Sequence, residues 1–190
     1  PFTDDTVVRM FSMSKPITSV AAMMLYEEGL LELKSPISKW LPEFADTRVY
    51  RSGSFLAPVT DPLVEPIRVW HLLTHTSGLT YGFHNTHVTD AIYRRGGFEW
   101  GNPPGADLAE CCALWAAMPL AFQPGTEWNY GVSTAVLGRL VEVVSGMPLD
   151  EFFRTRIFEP LGMTETDFYV HDESLDRFAT LYVRNPKSGE

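Results

Sequence analysis

Apolar residues recur at helical spacing in two stretches of this chain. Ile17, Val20, Ala21, Met24 and Leu25 predict a helix with one buried face that begins near Ser12. Glu27 and Glu28 fall in its last turn, and Gly29 follows at the place where helices turn into left-handed backbone. After a turn at Pro124-Gly125, Val132, Ala135, Val136, Leu140, Val143 and Val144 predict a second helix, closed by Gly146. Val69-Trp-His-Leu-Leu reads as a short apolar helix broken by the turn Thr76-Ser77-Gly78. Pro148, Asp150 and Glu151 open a further helix whose Leu149, Phe152, Phe153 and Ile157 face inward. Val7 to Phe11 reads as a strand end or an extended entry to the first helix. Residues 45–66 and 80–106 show little periodicity and are expected to be connections. The second gathers Tyr81, Phe83, Tyr93, Phe98 and Trp100 among glycines, which suits the rim of a cleft or the cover of a helical core equally.

Chemistry enters at the mouth of the first helix, in Phe11-Ser-Met-Ser-Lys-Pro16. Ser12 and Lys15 are three residues apart, so both side chains fall on one face of the first turn. A serine hydroxyl is a poor nucleophile until a neighbour takes its proton. A lysine can do so once desolvation or nearby positive charge lowers its pKa. The same spacing also arises as a helix cap beside a solvated lysine. The apolar helix that follows favours the chemical reading, because it is expected to bury both residues at its N-terminus. Ser14, the rival nucleophile, is adjacent to Lys15, and helix neighbours point away from each other. Tyr130 stands just before the second helix, with its phenol free either to enter a cleft or to anchor the helix entry.

Taken in order, Ser12-Met-Ser-Lys15, Leu72-Leu-Thr-His-Thr-Ser-Gly78, Tyr130-Gly-Val132 and Ile157-Phe-Glu-Pro-Leu-Gly-Met163 resemble the serine beta-lactamase and penicillin-binding-protein superfamily. The nearest branch is that of class C beta-lactamases and the esterases built on the same fold. The resemblance implies an α/β (α+β) fold of the beta-lactamase/transpeptidase-like type. The visible chain would then be mostly its helical part, with the antiparallel sheet largely outside. Residues 1–190 are accordingly expected to be a partial domain, with N- and C-terminal parts missing. By the same resemblance Ser12 is the nucleophile, and Lys15 and Tyr130 form its proton relay. Either a cationic lysine favours phenolate character on Tyr130, or a neutral lysine acts directly. The Ser12 N–H is an oxyanion donor, and the second donor lies on a later strand. Val132 stands at the substrate-binding position where lactam-processing members usually carry Asn, and no third motif of the family is present.

The expected activity is that of a carboxylesterase on small esters, working through an acyl-enzyme and without a cofactor. The alternatives are a class C-type beta-lactamase or D-Ala-D-Ala peptidase, an acyltransferase, and a non-catalytic binding or filament-forming relative. The expected partner is a small-molecule ester or lactam. A net charge of −9 argues against nucleic-acid binding through phosphate neutralisation. No apolar run is long enough to span a bilayer. Cys111 and Cys112 are adjacent, without metal or redox spacing, and read as reduced packing residues; this fits a cytoplasmic setting, though a leader peptide is not assessable. His71 and His75 are four apart, a possible metal pair, but nothing in the sequence completes a ligand set and no metal site is expected.

Overall fold

The structure, a computed structural model, describes residues 2–182. Its centre is the helix Ser133–Ser145 (α5), which packs against the helices Ser14–Glu27 (α1), Val69–Leu73 (α2), Leu108–Ala116 (α4) and Leu149–Phe153 (α6). A Cβ on Gly138 would come within 2.9 Å of Leu149 and 3.8 Å of Thr18, so glycine there lets α5 approach its neighbours closely. Leu25, Leu72, Trp115, Val136, Leu137, Leu140 and Phe152 are buried in the resulting core. Burial of each such side chain contributes about 1.5–3 kcal/mol.

The buried stripe of α1 is Thr18, Ala21, Ala22 and Leu25, while Val20, expected to face inward, is half exposed. Val143 likewise sits at the edge of exposure on α5. Gly29 and Gly146 end their helices in left-handed backbone, at φ +73° and +72°. Beyond α6 the chain continues as one turn of π-helix, Arg154–Phe158, and carries Ile157 and Phe158 into the core.

Both stretches expected to be connections contain regular structure. Residues 45–66 form an antiparallel hairpin of Arg48–Ser54 (β1) and Ala57–Pro62 (β2), with an irregular register between Tyr50 and Ser52. Val49 is the buried side chain of β1, and backbone bonds from Tyr50 and to Arg48 tie the strand to Leu120. Inside 80–106 lies the helix Val88–Arg95 (α3), started by His87 and by Asp90, which accepts from the His87 N–H at 2.8 Å. Tyr93 and Phe98 belong to the core, whereas Trp100 is exposed. The aromatics of this stretch thus divide between core and rim. The result is a mostly helical α+β arrangement with a small two-stranded antiparallel sheet.

Candidate active site

Ser12 lies in a 3-10 turn, Phe11–Met13, that runs directly into α1. This turn replaces the expected first α-turn but keeps Ser12 and Lys15 on one side. Phe11 has left-handed backbone, φ +46°, a strained conformation for an aromatic residue. Ser12 is exposed and Lys15 half-buried, so the apolar face of α1 does not bury the pair as expected. Among the described residues the Ser12 N–H has no backbone acceptor.

Tyr130 reaches Ser12 from 118 residues away in sequence. Its hydroxyl donates to Ser12 Oγ at 2.5 Å, and Lys15 Nζ donates to the same oxygen at 3.3 Å. The ammonium also sits 4.6 Å from the centre of the Tyr130 ring. Two donors therefore converge on one hydroxyl.

The loop that delivers Tyr130 is held from several sides. The Asn129 N–H donates to the His75 carbonyl at 2.9 Å, and Asn129 Nδ2 donates to the Leu79 carbonyl at 3.2 Å. At the next residue, a Cβ on Gly131 would meet the Leu79 carbonyl oxygen at 2.3 Å, so only glycine fits. Where α5 begins, Ser133 and Ser77 share a buried hydrogen bond of 2.8 Å. Around the phenol ring stand His75 at 5.0 Å, Tyr81 at 5.4 Å and His84 at 6.4 Å between centroids.

The electrostatics differ from those expected for a lysine base. Burial opposes the charge on Lys15, but contact with the phenols of Tyr130 and Tyr81 outweighs it and holds the ammonium above the ordinary lysine value. Burial also works against ionising Tyr130. Its contacts with Lys15 and Ser12, together with the lysine charge, win and hold the phenol below its ordinary value. His75 is pushed down by burial and then by the charge of Lys15, so it is neutral near pH 7. The arrangement can keep a charged lysine beside an acidified phenol.

Ser12, Lys15 and Tyr130 come together; Val132 does not join them. It is 4% exposed and packed in the core at the start of α5. Ser14 points elsewhere, toward a cleft that Ser12 does not line. His71 uses Nδ1 to accept from the Arg68 N–H at 2.9 Å, and His75 lies beyond α2 in left-handed backbone. The two histidines therefore form no metal pair, and no cluster of metal-ligating side chains occurs among the described residues. Cys111 and Cys112 are free and buried. Around the relay, Tyr81 comes from the aromatic stretch that suits a cleft rim and His75 from the Leu72–Gly78 motif, but nothing in the sequence placed either of them, or His84, beside Tyr130.

The family model described as Beta-lactamase matches residues 1–190. Esterase EstB of Burkholderia gladioli is 36% identical over 183 residues, which cover 96% of this chain and 43% of that protein. Lovastatin esterase of Penicillium rubens is 37% identical over 166 residues, 87% of this chain and 40% of that protein. The solved structure of EstCE1, described as a hydrolase with promiscuous acyltransferase activity, superposes with a TM-score of 0.79 at 34% identity, over 96% of this chain and 44% of that one. The chain thus spans less than half the length of these relatives.

Proposed function

The chain belongs to the beta-lactamase family, and from that premise we propose that it carries the nucleophile and proton relay of a serine hydrolase acting on small carboxylic esters. One observation carries the reading: Tyr130 and Lys15 both reach Ser12 Oγ, at 2.5 and 3.3 Å. Ser12 Oγ attacks the ester carbonyl as its proton passes to the Tyr130 oxygen. A new acyl–oxygen bond forms at Ser12, the bond to the alcohol breaks, and the leaving alkoxide takes the proton back from Tyr130. Lys15 stays charged and stabilises the phenolate while it exists. The raised lysine and acidified phenol favour this route over a neutral lysine acting directly. Water then attacks the acyl-enzyme by the reverse proton path. The free Ser12 N–H is one oxyanion donor, and the second is expected from outside residues 1–190.

Release of the acyl group to an alcohol instead of water is the second reading. The description of EstCE1 as a hydrolase that also transfers acyl groups favours it. The two free, buried thiols suit a compartment in which cysteines stay reduced.

The intact protein treated with a fluorophosphonate is expected to gain mass on Ser12, and Ser12→Ala to abolish both labelling and ester turnover. Because a hydroxyl at a helix start contributes only about 0.5–2 kcal/mol, that variant remains folded. Labelling on Ser14, or full turnover by folded Ser12→Ala, excludes the assignment.

A further inference from the structure

Two side chains beside the relay take no part in the chemistry above, Tyr81 and His84, and both come from the segment between Gly78 and α3. The Tyr81 ring centre lies 5.7 Å from Lys15 Nζ and 5.4 Å from the Tyr130 ring. His84 Nε2 lies 2.6 Å from the Tyr130 carbonyl oxygen. A carbonyl only accepts, so Nε2 carries the proton and donates. The two rings also pack on each other, with centroids 5.9 Å apart.

The segment that bears them is pinned at both ends by one buried carboxylate. Asp90, 1% exposed, accepts from Thr80 Oγ1 at 2.8 Å, the Thr86 N–H at 2.9 Å and the His87 N–H at 2.8 Å. Burying a carboxylate is costly unless hydrogen bonds replace its water, and here these donors, with Thr86 Oγ1 at 3.3 Å, do so. Tyr81 and His84 therefore stand on a loop fixed on either side of them.

We propose that Tyr81 and His84 are positioning residues for the relay: the Tyr81 phenol holds Lys15 and the His84 imidazole holds the Tyr130 backbone, so that both reach Ser12 Oγ together. This rests on the acyl-enzyme reading of Ser12. Lys15 faces the Ser12 hydroxyl, the Tyr130 and Tyr81 phenols and the His75 imidazole; Tyr130 faces Ser12, Lys15, His75, Tyr81 and His84. No carboxylate is among these groups. Without the Tyr81 hydroxyl, burial of Lys15 is less opposed and the ammonium loses its proton at lower pH. Without the His84 bond, Tyr130 is free to draw away from Lys15 and Ser12, and its phenol ionises nearer the ordinary tyrosine value. The two losses act on opposite limbs of the pH–rate profile.

The test is the pH dependence of Ser12 acylation by an activated ester, on the intact protein, for wild type, Tyr81→Phe, His84→Phe and His84→Gln. Tyr81→Phe is expected to move the alkaline limb down, and His84→Phe the acid limb up, each by about half a pH unit or more. Each also lowers kcat/KM by about 10- to 100-fold, the scale of a small misplacement of reacting groups. His84→Gln, whose amide N–H can reach the same carbonyl, restores the wild-type acid limb. Unmoved limbs in both Phe variants, with only a lower Tm, overturn the proposal, as does His84→Gln behaving like His84→Phe. Failure of the acyl-enzyme reading has its own signature, since folded Ser12→Ala then keeps its turnover. Loss of turnover in Ser12→Ala with unmoved limbs overturns the positioning role alone.

Discussion

Ser12 Oγ is the acceptor of two hydrogen bonds from groups whose protonation is coupled, because the charge on Lys15 is one cause of the low pKa of Tyr130. Lys15→Ala and Tyr130→Phe are each expected to slow acylation about 10²-fold or more. Since the two act as one unit, the double variant is expected to be far less impaired than the product of the single losses. Burst kinetics on all three variants check this, and strictly multiplicative losses would mean independent roles. The sign of the pH effect follows from the same coupling. On the proposed relay Tyr130 accepts a proton only when ionised, so the rate is expected to rise as pH passes its folded pKa. Lys15→Ala removes the favourable charge and moves that limb upward. The Ser12–Lys15 spacing was legible as a local pattern on one helix face, whereas the role expected of Tyr130 came with the resemblance to the beta-lactamase superfamily. Tyr81, His75 and His84 were not legible, because they meet Lys15 and Tyr130 only across long sequence separations. The lysine's raised pKa was also out of reach: it is set by two phenols that sequence spacing does not bring near it.

At the level of elements, α5 shows how a helix start can be both core and site. Tyr130 faces Ser12 while Val132, two residues on, is buried. An amide at Val132 would therefore be set among buried side chains. Val132→Asn is expected to cost about 1–3 kcal/mol for the unpaired polar group. That corresponds to a fall in Tm of roughly 2–4 °C per kcal/mol, readable by thermal melting. An unchanged Tm together with new lactam turnover would instead put this side chain in the cleft. Helices α1 and α5 were legible from their apolar spacing and closing glycines. The hairpin was not, because β1 buries Val49 and half-buries Tyr50 but exposes its other side chains, leaving no alternation to read. Helix α3 was hidden for a related reason. Its start signal is a histidine followed three residues later by an aspartate, a weak capping pattern, and its eight residues are too short a run for periodicity to stand out.

At the scale of the whole molecule, several large aromatic side chains stand exposed around one cleft of the described residues. A cleft of about 550 Å³ is lined by Phe11, Ile17, Phe153, Phe158 and Phe168 together with charged residues such as Asp5, Arg9, Glu165 and Asp167, and it includes none of Ser12, Lys15 and Tyr130. Phe11 and Phe168 on its rim are 64% and 57% exposed, and Tyr169 beside them is 62% exposed. Exposed aromatic side chains grouped in this way favour association or coverage by other protein. The net charge of −9 opposes association, but screening weakens that repulsion as salt is added. Residues 1–190 expressed alone are therefore expected to bind a hydrophobic dye and to self-associate more strongly at high salt than at low. Light scattering and dye fluorescence across a salt series provide the measurement. Phe11→Ser with Phe168→Ser is expected to reduce both signals without lowering the helical circular-dichroism signal, since neither side chain is buried in the core around α5. A monodisperse chain that binds no dye at any salt concentration would mean that these aromatics pack against one another closely enough to exclude water, and that the helical layer needs no further cover.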